Sequence, residues 1–309
     1  MMLDEPNNWG RWGAEDERGA LNLLTPEAVL AAARCVKEGR VLSLSLPIRG
    51  ATSSPAPTTV PHLRGRPLPQ HFMSVDGGDY AAGARAVGVG LRVADDALVV
   101  TPHGTTTHMD ALCHMWTGDA IYNGHPANRV RSYGAGRCGI DKAGPVVGRG
   151  VLFDVPASKN VPHLNADDRI TPDDLEACLE GTGIELRAGD IAVIRTGWPQ
   201  VWHTEGPDAY WSGQPGLSAD AGRWLAARDV SMVASDNAAI GGLNARQLAD
   251  EDLTDDLHMI LLWRHGIHLA EMLWLEGLAE TGRGDFLFAA APLLIEGGTA
   301  SPINPIAVV

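Results

Sequence analysis

Apolar residues recur along the chain with the two-residue period of strands and with the longer period of helices. In residues 41–46, Leu42, Leu44 and Leu46 alternate with valine and serine, which predicts a strand with one buried face. Apolar runs predict further strands at 97–102, 150–155, 190–198, 230–235 and 285–295. Strands therefore dominate the middle and the end of the chain.

Helix start signals occur at three places. Thr25 and Thr171 each precede a proline, so each threonine is placed to cap a helix whose first residue is proline. Ser218 is a similar cap for the segment 218–229. We expect the first helix to stop at Gly39. Helices and strands do not alternate strictly, so the pattern predicts a mixed α/β fold.

A segment rich in Pro, Ser, Thr and Gly at about 50–70 interrupts these elements. Such a composition does not sustain a regular element, so it predicts a long loop or an arm that covers a neighbour. After it, no repeat, charge block or low-complexity linker divides the chain. We therefore expect a single domain over residues 1–309.

Composition and charge exclude several classes of protein. An apolar fraction of 45% and a charged fraction of 20% are typical of a globular protein. A net charge of −14 repels phosphate backbones and anionic lipid, so neither nucleic acid nor a membrane is an expected partner. No leader or membrane-spanning run is evident, which favours a cytoplasmic location. The four cysteines form no CxxC pair, so neither a disulfide framework nor a zinc ribbon is expected.

The stretch TPHGTTTHMDALCH, residues 101–114, contains three of the eleven histidines. His108 and Asp110 are two residues apart and His114 follows four residues later, so an extended backbone would project all three toward one side. Imidazole and carboxylate are the usual ligands of a Zn²⁺ or Mn²⁺ ion that keeps an open position for water. Alternatively, these side chains could cap and hydrogen-bond a turn rich in glycine and threonine.

Here the sequence resembles the metal-dependent cyclase family that includes kynurenine formamidase and isatin hydrolase. The family signature is His-x-Gly-Thr-His-x-Asp-x-Pro-x-His, and this chain carries its second half as THMDALCH. Other blocks of longer members also occur in order: WGAEDERGALNLLTPE, RTGW at 195–198, SDN at 235–237 and HMILLWRHGIHLAE at 258–271. The resemblance spans residues 9 to about 280 and is specific for the family, but weak for the substrate.

The resemblance implies a set of site residues. His108 and Asp110 match metal ligands, and His258 and Glu271 match the downstream pair that completes the site or holds a second metal. His114 matches the catalytic acid or base beside the metal. The resemblance also implies a single α/β domain with a β-rich, swivelling barrel-like core flanked by helices, assembled as a homodimer, homotetramer or larger homo-oligomer.

Two departures from the signature matter. The family proline is Leu112 here, which changes loop stiffness but removes no functional group. The first signature histidine would be at position 104, which is glycine, and the nearest histidine is His103. On a regular strand His103 would point away, unless Gly104 absorbs the extra residue as a bulge. Without a bulge, His62 or His71 would have to approach, or water would fill the position.

The histidines at 258, 265 and 268 have a second interpretation as satisfied core residues, because they lie in a strongly apolar segment. His258 and Glu271 are thirteen residues apart, so only a fold that breaks between them, for example at Gly266, could bring both to one ion. His265 and His268 are interpreted as structural or substrate-facing.

Two further groups of residues are open to more than one interpretation. Asp236 and Asn237 follow a strand and either form a turn or support a ligand. Tryptophans could line a pocket for a flat substrate or fill the core, and the N-terminal pair, Trp9 and Trp12, are the better candidates to reach a site or an interface.

These residues predict a hydrolase of an amide, lactam or formamide bond in a small molecule. One or two divalent ions, Zn²⁺ or Mn²⁺, would lower the pKa of bound water to about 7, and His114 would protonate the leaving nitrogen. The chain has no Gly-x-Ser-x-Gly elbow and no nucleotide-binding glycine motif. A metal-assisted cyclase or dehydratase and a non-catalytic scaffold remain as alternatives.

Overall fold

The computed structural model describes residues 5–49, 61–63, 66–243 and 257–309. Its main feature is a nine-stranded sheet that curls into a half-barrel and is flanked by helices. The fold is therefore mixed α/β, as the sequence predicts. Most of the segment at about 50–70 and the stretch 244–256 lie outside the described residues, so the expected long loop is not tested.

The strands have the following bounds: β1 Val41–Ser43, β2 Gln70–Val75, β3 Asp95–Val99, β4 His108–Asp110, β5 Val130–Arg131, β6 Gly134–Ala135, β7 Val146–Asp154, β8 Arg169–Ile170, β9 Ile191–Arg195, β10 Gly216–Leu217, β11 Met232–Ser235, β12 His268–Glu271, β13 Asp285–Ala290, β14 Ala300–Pro302 and β15 Ile306–Val308. The α-helices are α1 Pro26–Ala33, α2 Gly77–Ala81, α3 Val155–Ser158, α4 Pro172–Thr182, α5 Pro199–Thr204, α6 Pro207–Tyr210, α7 Ala219–Ala226 and α8 Glu276–Ala279. Residues His258–Arg264 form a π-helix, and short 3₁₀ turns occupy Gly19–Leu23, Tyr122–Gly124, Ala127–Arg129 and Ile140–Lys142.

The main sheet has the strand order β1-β15-β13-β7-β9-β11-β12-β4-β14. Its centre, β7-β9-β11-β12, is parallel, and the outer strands join antiparallel. Every residue of β9, β11 and β12 is buried. Burial on both faces explains why β9 and β11 read as almost continuous apolar runs rather than alternating ones.

The predicted helix caps are present. The Thr25 hydroxyl accepts a hydrogen bond from the Ala28 N–H, and Thr171 and Ser218 cap α4 and α7 in the same way. The first helix is shorter than predicted, because α1 ends at Ala33 rather than at Gly39. The last turn of α1 carries no basic residue, and the residues that follow it form turns and bends. Gly39, the predicted stop, therefore lies beyond the end of the helix.

The predicted strands are present with corrected bounds. The run 97–102 is wrong at its end, because β3 stops at Val99 and residues 100–102 lead into a turn. The run 285–295 is also too long, because β13 ends at Ala290, just before Pro292. In residues 41–46 the leucines are the more buried positions, as predicted, although only Val41–Ser43 pair as a strand.

Strands β2 and β3 form a two-stranded antiparallel sheet separate from the main one. Their side chains are mostly exposed. In the part of the chain that the structure covers, no helix is long and apolar enough to cross a membrane.

Candidate metal centre

The centre is built on the pairing of β4 with β12. Glu271 lies directly opposite His108 in this antiparallel pair, so their side chains are on one face of the sheet. Asp110 is two residues from His108 and therefore shares that face. All three side chains are almost completely buried. The His-x-Asp spacing thus has the geometric effect predicted from the sequence.

His258 reaches the same face from a different element. It is the first residue of the π-helix, and its Nε2 atom lies 3.5 Å from Asp110 Oδ2 and 3.3 Å from Glu271 Oε1. The chain then turns at Gly266, which has φ of +61°. A Cβ atom there would lie 2.5 Å from the Tyr122 ring, so glycine is required on two grounds. The predicted break at Gly266 brings His258 and Glu271 together.

His103 also lies at the centre, but not through a bulge in a strand. Gly104 has φ of +69° and lies in the turn between β3 and β4, where a Cβ atom would lie 2.7 Å from Leu63 Cβ. This turn places His103 Nε2 3.3 Å from Asp110 Oδ1. The strand-parity argument does not apply in a turn, so the extra residue relative to the signature does not displace the imidazole.

His114 comes from the turn after β4 rather than from an extended strand, which corrects the sequence-based expectation. Its backbone N–H donates to the Ala111 carbonyl. The His114 ring stacks on the His103 ring with centroids 3.9 Å apart and lies 5.8 Å from the His258 ring. His114 therefore lies against the ligand candidates, even though the backbone route differs from the predicted one.

The other proposed first ligands lie elsewhere. His71 is on β2, where its Nε2 atom is 2.6 Å from Asp96 Oδ2. His62 packs edge to face against Trp202, with ring centroids 5.8 Å apart. The backbone N–H of the adjacent Leu63 donates to the Gly104 carbonyl. His103 is thus the histidine of this group that the fold brings to Asp110.

The spacing of the polar atoms fits a shared cation. His108 Nε2 lies 3.5 Å from Asp110 Oδ1 and 3.6 Å from Glu271 Oε2. Two ligands at about 2.1 Å from one tetrahedral ion are themselves about 3.4 Å apart. Both Asp110 oxygens, Glu271 Oε1 and His103 Nε2 are buried and lack a hydrogen-bond partner among the residues described. Buried polar atoms without partners are costly, and a cation would satisfy all of them at once.

The ring orientations are set by backbone carbonyls. His108 Nδ1 is 2.8 Å from the Thr106 carbonyl oxygen, which leaves Nε2 directed at the carboxylates. His268 Nδ1 is 2.8 Å from the carbonyl oxygen of Asp110 itself. This contact agrees with the interpretation of His268 as a structural residue. The sequence indicates this role through strand parity, because residues 268 and 271 lie on opposite faces of β12. The side-chain pattern of the sequence does not indicate that the Thr106 carbonyl oxygen orients the His108 ring.

The ionisable groups of the centre affect one another's pKa. Burial opposes ionisation of Asp110, but the electrostatic interaction with His114 and the contacts of the His103 and His258 side chains outweigh it and lower the pKa of Asp110. Burial raises the pKa of Glu271. Burial also lowers the pKa of His114 to about 3. The histidine is therefore a neutral imidazole at pH 7, well below the ordinary pKa assumed from the sequence.

The SDN segment supports the turn interpretation. Asp236 is completely buried, and its carboxylate accepts hydrogen bonds from the Thr196 N–H and hydroxyl and from the Gly197 N–H. Asn237 donates from its side chain to the Pro215, Ile240 and Gly241 carbonyls. Both residues brace loops at the ends of the central strands.

The tryptophans fall into separate groups. Trp198 and Trp202 pack with Tyr210 in a buried aromatic cluster. Trp9 instead contacts Trp263 edge to face, with centroids 5.0 Å apart, and its indole N–H donates to the Trp263 carbonyl. Of the N-terminal pair, Trp9 thus reaches the helix that carries His258.

Comparisons with known proteins agree with this geometry. The Cyclase family model matches residues 42–241. A solved structure described as a novel cyclase is 35% identical, with 99% of each chain covered and a TM-score of 0.88. Isatin hydrolase A from Labrenzia aggregata, solved with benzyl benzoate, is 20% identical over 90% of this chain and 95% of that one, with a TM-score of 0.60.

A third solved structure is described as a potential metal-dependent hydrolase with cyclase activity. It is 21% identical and covers 87% of this chain and 98% of its own, with a TM-score of 0.53. The last two likenesses show a shared fold. No protein of curated function matches the sequence. The match of the family model and the full-length likeness to the novel cyclase show that this chain belongs to the Cyclase family.

Proposed function

We propose that the protein is a metal-dependent hydrolase of an amide, lactam or formamide bond in a small molecule. The observation that carries the proposal is the convergence of histidine nitrogens on the two oxygens of Asp110. These buried atoms have the identity and spacing of metal ligands, and a surface or core cluster without an ion would leave them unpaired.

Two overlapping groups of residues would hold the ion or ions. One comprises His108, Asp110 and Glu271, and the other comprises His103 and Asp110 with His114 beside them. His114 is assigned here to proton transfer rather than to ligation. His258 contacts both carboxylates and completes the set. A nitrogen and oxygen donor set is compatible with Zn²⁺ or Mn²⁺, and such an ion supplies Lewis acidity that activates water and polarises a carbonyl group.

His114 would serve as the proton carrier. Although burial makes it a weaker base, it is unprotonated at pH 7 and can accept a proton from the attacking water. It would then deliver this proton to the leaving nitrogen as the C–N bond breaks. The ring of His103, stacked on His114, fixes the orientation of the imidazole. Such a group contributes about 10² to 10⁴ in rate.

Two features support an aromatic substrate. The Trp198, Trp202 and Tyr210 cluster is connected to the His103 turn through His62 and Leu63. Burial raises the pKa of Tyr210, and the charges of Asp236 and Glu271 raise it further. The shared fold with isatin hydrolase A, which was solved with the aromatic molecule benzyl benzoate, is consistent with this class.

A second candidate is a metal-assisted cyclase or dehydratase. The full-length likeness to a structure described as a novel cyclase favours it. Both candidates need the same ligands, so they differ only in whether water is added to the substrate or lost from it.

Metal analysis and a substrate panel test the proposal together. The wild type, His108→Ala and the control His71→Ala would be purified and analysed for metal content. We expect about one or two ions per chain in the wild type and in His71→Ala, whose ring contacts Asp96 on the hairpin, and a large loss in His108→Ala. A wild type that binds no metal even after reloading would overturn the proposal.

The panel would contain formanilides, cyclic imides and isatin-like lactams. Acid release with ring opening supports the hydrolase, and loss of water from a substrate supports the alternative. His114→Ala should retain metal and lose about 10² or more in kcat. Full activity of this variant at saturating metal would refute the role of His114.

A further inference from the structure

The pairing of β4 with β12 ends one residue beyond the metal centre. Glu271 lies opposite His108, and the next two residues in this register would be Met272 and Thr107. Met272 has φ of +58° and so does not continue the strand. A residue with a Cβ atom seldom adopts this left-handed conformation, because the Cβ atom is crowded by the following carbonyl oxygen. Contacts with the rest of the protein must therefore hold the residue that follows Glu271.

Hydrogen bonds on both sides hold Met272 in place. Its backbone N–H donates to the Asn237 carbonyl oxygen at 2.8 Å. Its carbonyl oxygen accepts a hydrogen bond from the Thr107 hydroxyl at 2.6 Å. The Met272 side chain is buried and packs in a small apolar cluster with Leu46. The Thr107 hydroxyl therefore connects the two strands at the point where their backbone ladder has ended.

The Thr107 hydroxyl acts as a donor and as an acceptor at once. Besides donating to the Met272 carbonyl, it accepts a hydrogen bond from the Leu46 N–H at 2.9 Å. The Thr107 carbonyl accepts a further hydrogen bond from the N–H of Ile303, which follows β14. Thr107 is 1% exposed, so water cannot replace these contacts. One buried residue thus connects the start of β4 with the end of β12 and with the segment that follows β1.

We infer that Thr107 is a positioning residue that fixes the spacing of the proposed ligands His108 and Glu271. Thr107 directly precedes His108, and its partner Met272 directly follows Glu271. A change in the Met272 conformation would rotate the adjoining peptide unit and move the Glu271 carboxylate, whose Oε2 atom is 3.6 Å from His108 Nε2. The inference rests on the proposed function, because this spacing matters when both side chains bind one ion.

Two substitutions of Thr107 separate hydrogen bonding from packing. Valine has nearly the shape and branching of threonine but no hydroxyl, so Thr107→Val keeps the packing and removes both hydrogen bonds. Serine keeps the hydroxyl and lacks the methyl group, so Thr107→Ser should keep both hydrogen bonds at the expense of some packing. An effect that is present in the valine variant and absent in the serine variant belongs to the hydroxyl.

Titration of the metal-free full chain with Zn²⁺, in competition with a chromophoric chelator, tests the inference. The Kd for Zn²⁺ should rise about 10- to 100-fold in Thr107→Val and stay close to the wild-type value in Thr107→Ser. The control is Ser231→Ala, which also removes a buried hydroxyl that donates to a backbone carbonyl, that of Gly189. Ser231 directly precedes β11, at the end of the strand away from Asn237, so this variant should bind Zn²⁺ like the wild type.

The visible absorption spectrum of the Co²⁺-loaded protein reports the ligand geometry without any measurement of activity. Thr107→Val should change the positions and intensities of the bands, and Thr107→Ser should reproduce the wild-type spectrum. Far-UV circular dichroism should be the same for all these proteins. A second variant, Thr107→Ala, removes the hydroxyl without directing a methyl group at the Met272 carbonyl, and should show the same rise in Kd.

The outcomes distinguish this inference from the proposed function. If the wild type binds Zn²⁺ and the valine and alanine variants bind it with the same Kd and give the same Co²⁺ spectrum, the role of Thr107 is overturned and the proposed function stands. If the wild type binds neither ion, both are overturned.

Discussion

The carboxyl group of Asp236 shows how a single buried residue makes stability depend on pH. Burial raises its pKa to about 6, even though three donors from Thr196 and Gly197 oppose the shift. Its folded pKa is above the unfolded value of about 3.9, so the favourable contribution is present below pH of about 4 and is lost as pH rises through about 6.

Replacing Asp236 with asparagine should remove this dependence. The free energy of unfolding of the wild type should fall relative to Asp236→Asn between pH of about 4 and 7, by about 2 kcal/mol. Urea denaturation of both proteins at the two pH values measures the difference. Contributions of the metal ligands are common to both proteins and cancel. A difference that stays constant with pH would contradict the assignment.

At the residue scale, much of the candidate centre follows from spacing. His108 and Asp110 share a strand face because they are two residues apart, and this can be read directly from the sequence. The position of His103 cannot, because it depends on a left-handed turn at Gly104 rather than on strand parity. The neutral state of His114 depends on burial, which no local pattern reports.

At the scale of elements, the N-terminal segment holds the π-helix in place. The backbone and side-chain nitrogens of Asn8 donate to the Arg264 and His265 carbonyls, and the Trp9 indole donates to the Trp263 carbonyl. These carbonyls are at the end of the helix, where helical partners are lacking. The N-terminus therefore stabilises the element that begins with His258.

Trp9→Phe tests this connection. Phenylalanine keeps an aromatic ring against Trp263 but removes the N–H donor, so we expect a loss of about 1 kcal/mol in stability and a metal affinity about threefold to tenfold weaker. Trp12→Phe is the control, because Trp12 contacts the Arg11 guanidinium. Unchanged metal affinity in Trp9→Phe would show that the N-terminal segment does not affect the metal centre.

Helix starts were predicted correctly because they depend on local interactions. Several strands were not predicted, because their formation depends on pairing with distant strands. Thr25, Thr171 and Ser218 identify helix starts because capping is a local interaction. Strands β4, β12, β14 and β15 were not predicted, since each is defined by its pairing in the main sheet rather than by an apolar run of its own. Two of these carry the centre, so its scaffold was less predictable than its ligands.

At the scale of the whole molecule, metal should stabilise the fold. Without a cation, the carboxyl groups of Asp110 and Glu271 lie buried without sufficient donors. A free ion concentration of about 1,000 times the Kd adds about 4 kcal/mol to the stability of the fold, so removal of the ion should lower the Tm by roughly 6 °C. Calorimetry with and without chelator measures this difference. His108→Ala should respond much less to chelator, and equal Tm values in the wild type would contradict the proposed centre.

The fold class could be predicted from the mixture of elements, but the strand order could not. The parallel centre β7-β9-β11-β12 agrees with the continuous apolar runs of the sequence. The addition of β4 between β12 and β14 brings together segments about 160 and 190 residues apart, for which the pattern holds no signal. The resemblance to a family, rather than periodicity, predicted the barrel-like core.

The position of β4 between β12 and β14 also determines when the centre can assemble during synthesis of the chain. The two strands that flank β4, namely β12 and β14, are made more than 150 residues later. Until those residues have been synthesised, His108 and Asp110 have no sheet to join, and His258 and Glu271 do not yet exist. Such distant pairing forms slowly. Assembly of the proposed centre therefore has to follow synthesis of β12 and β14, and an ion would bind the paired strands rather than β4 alone.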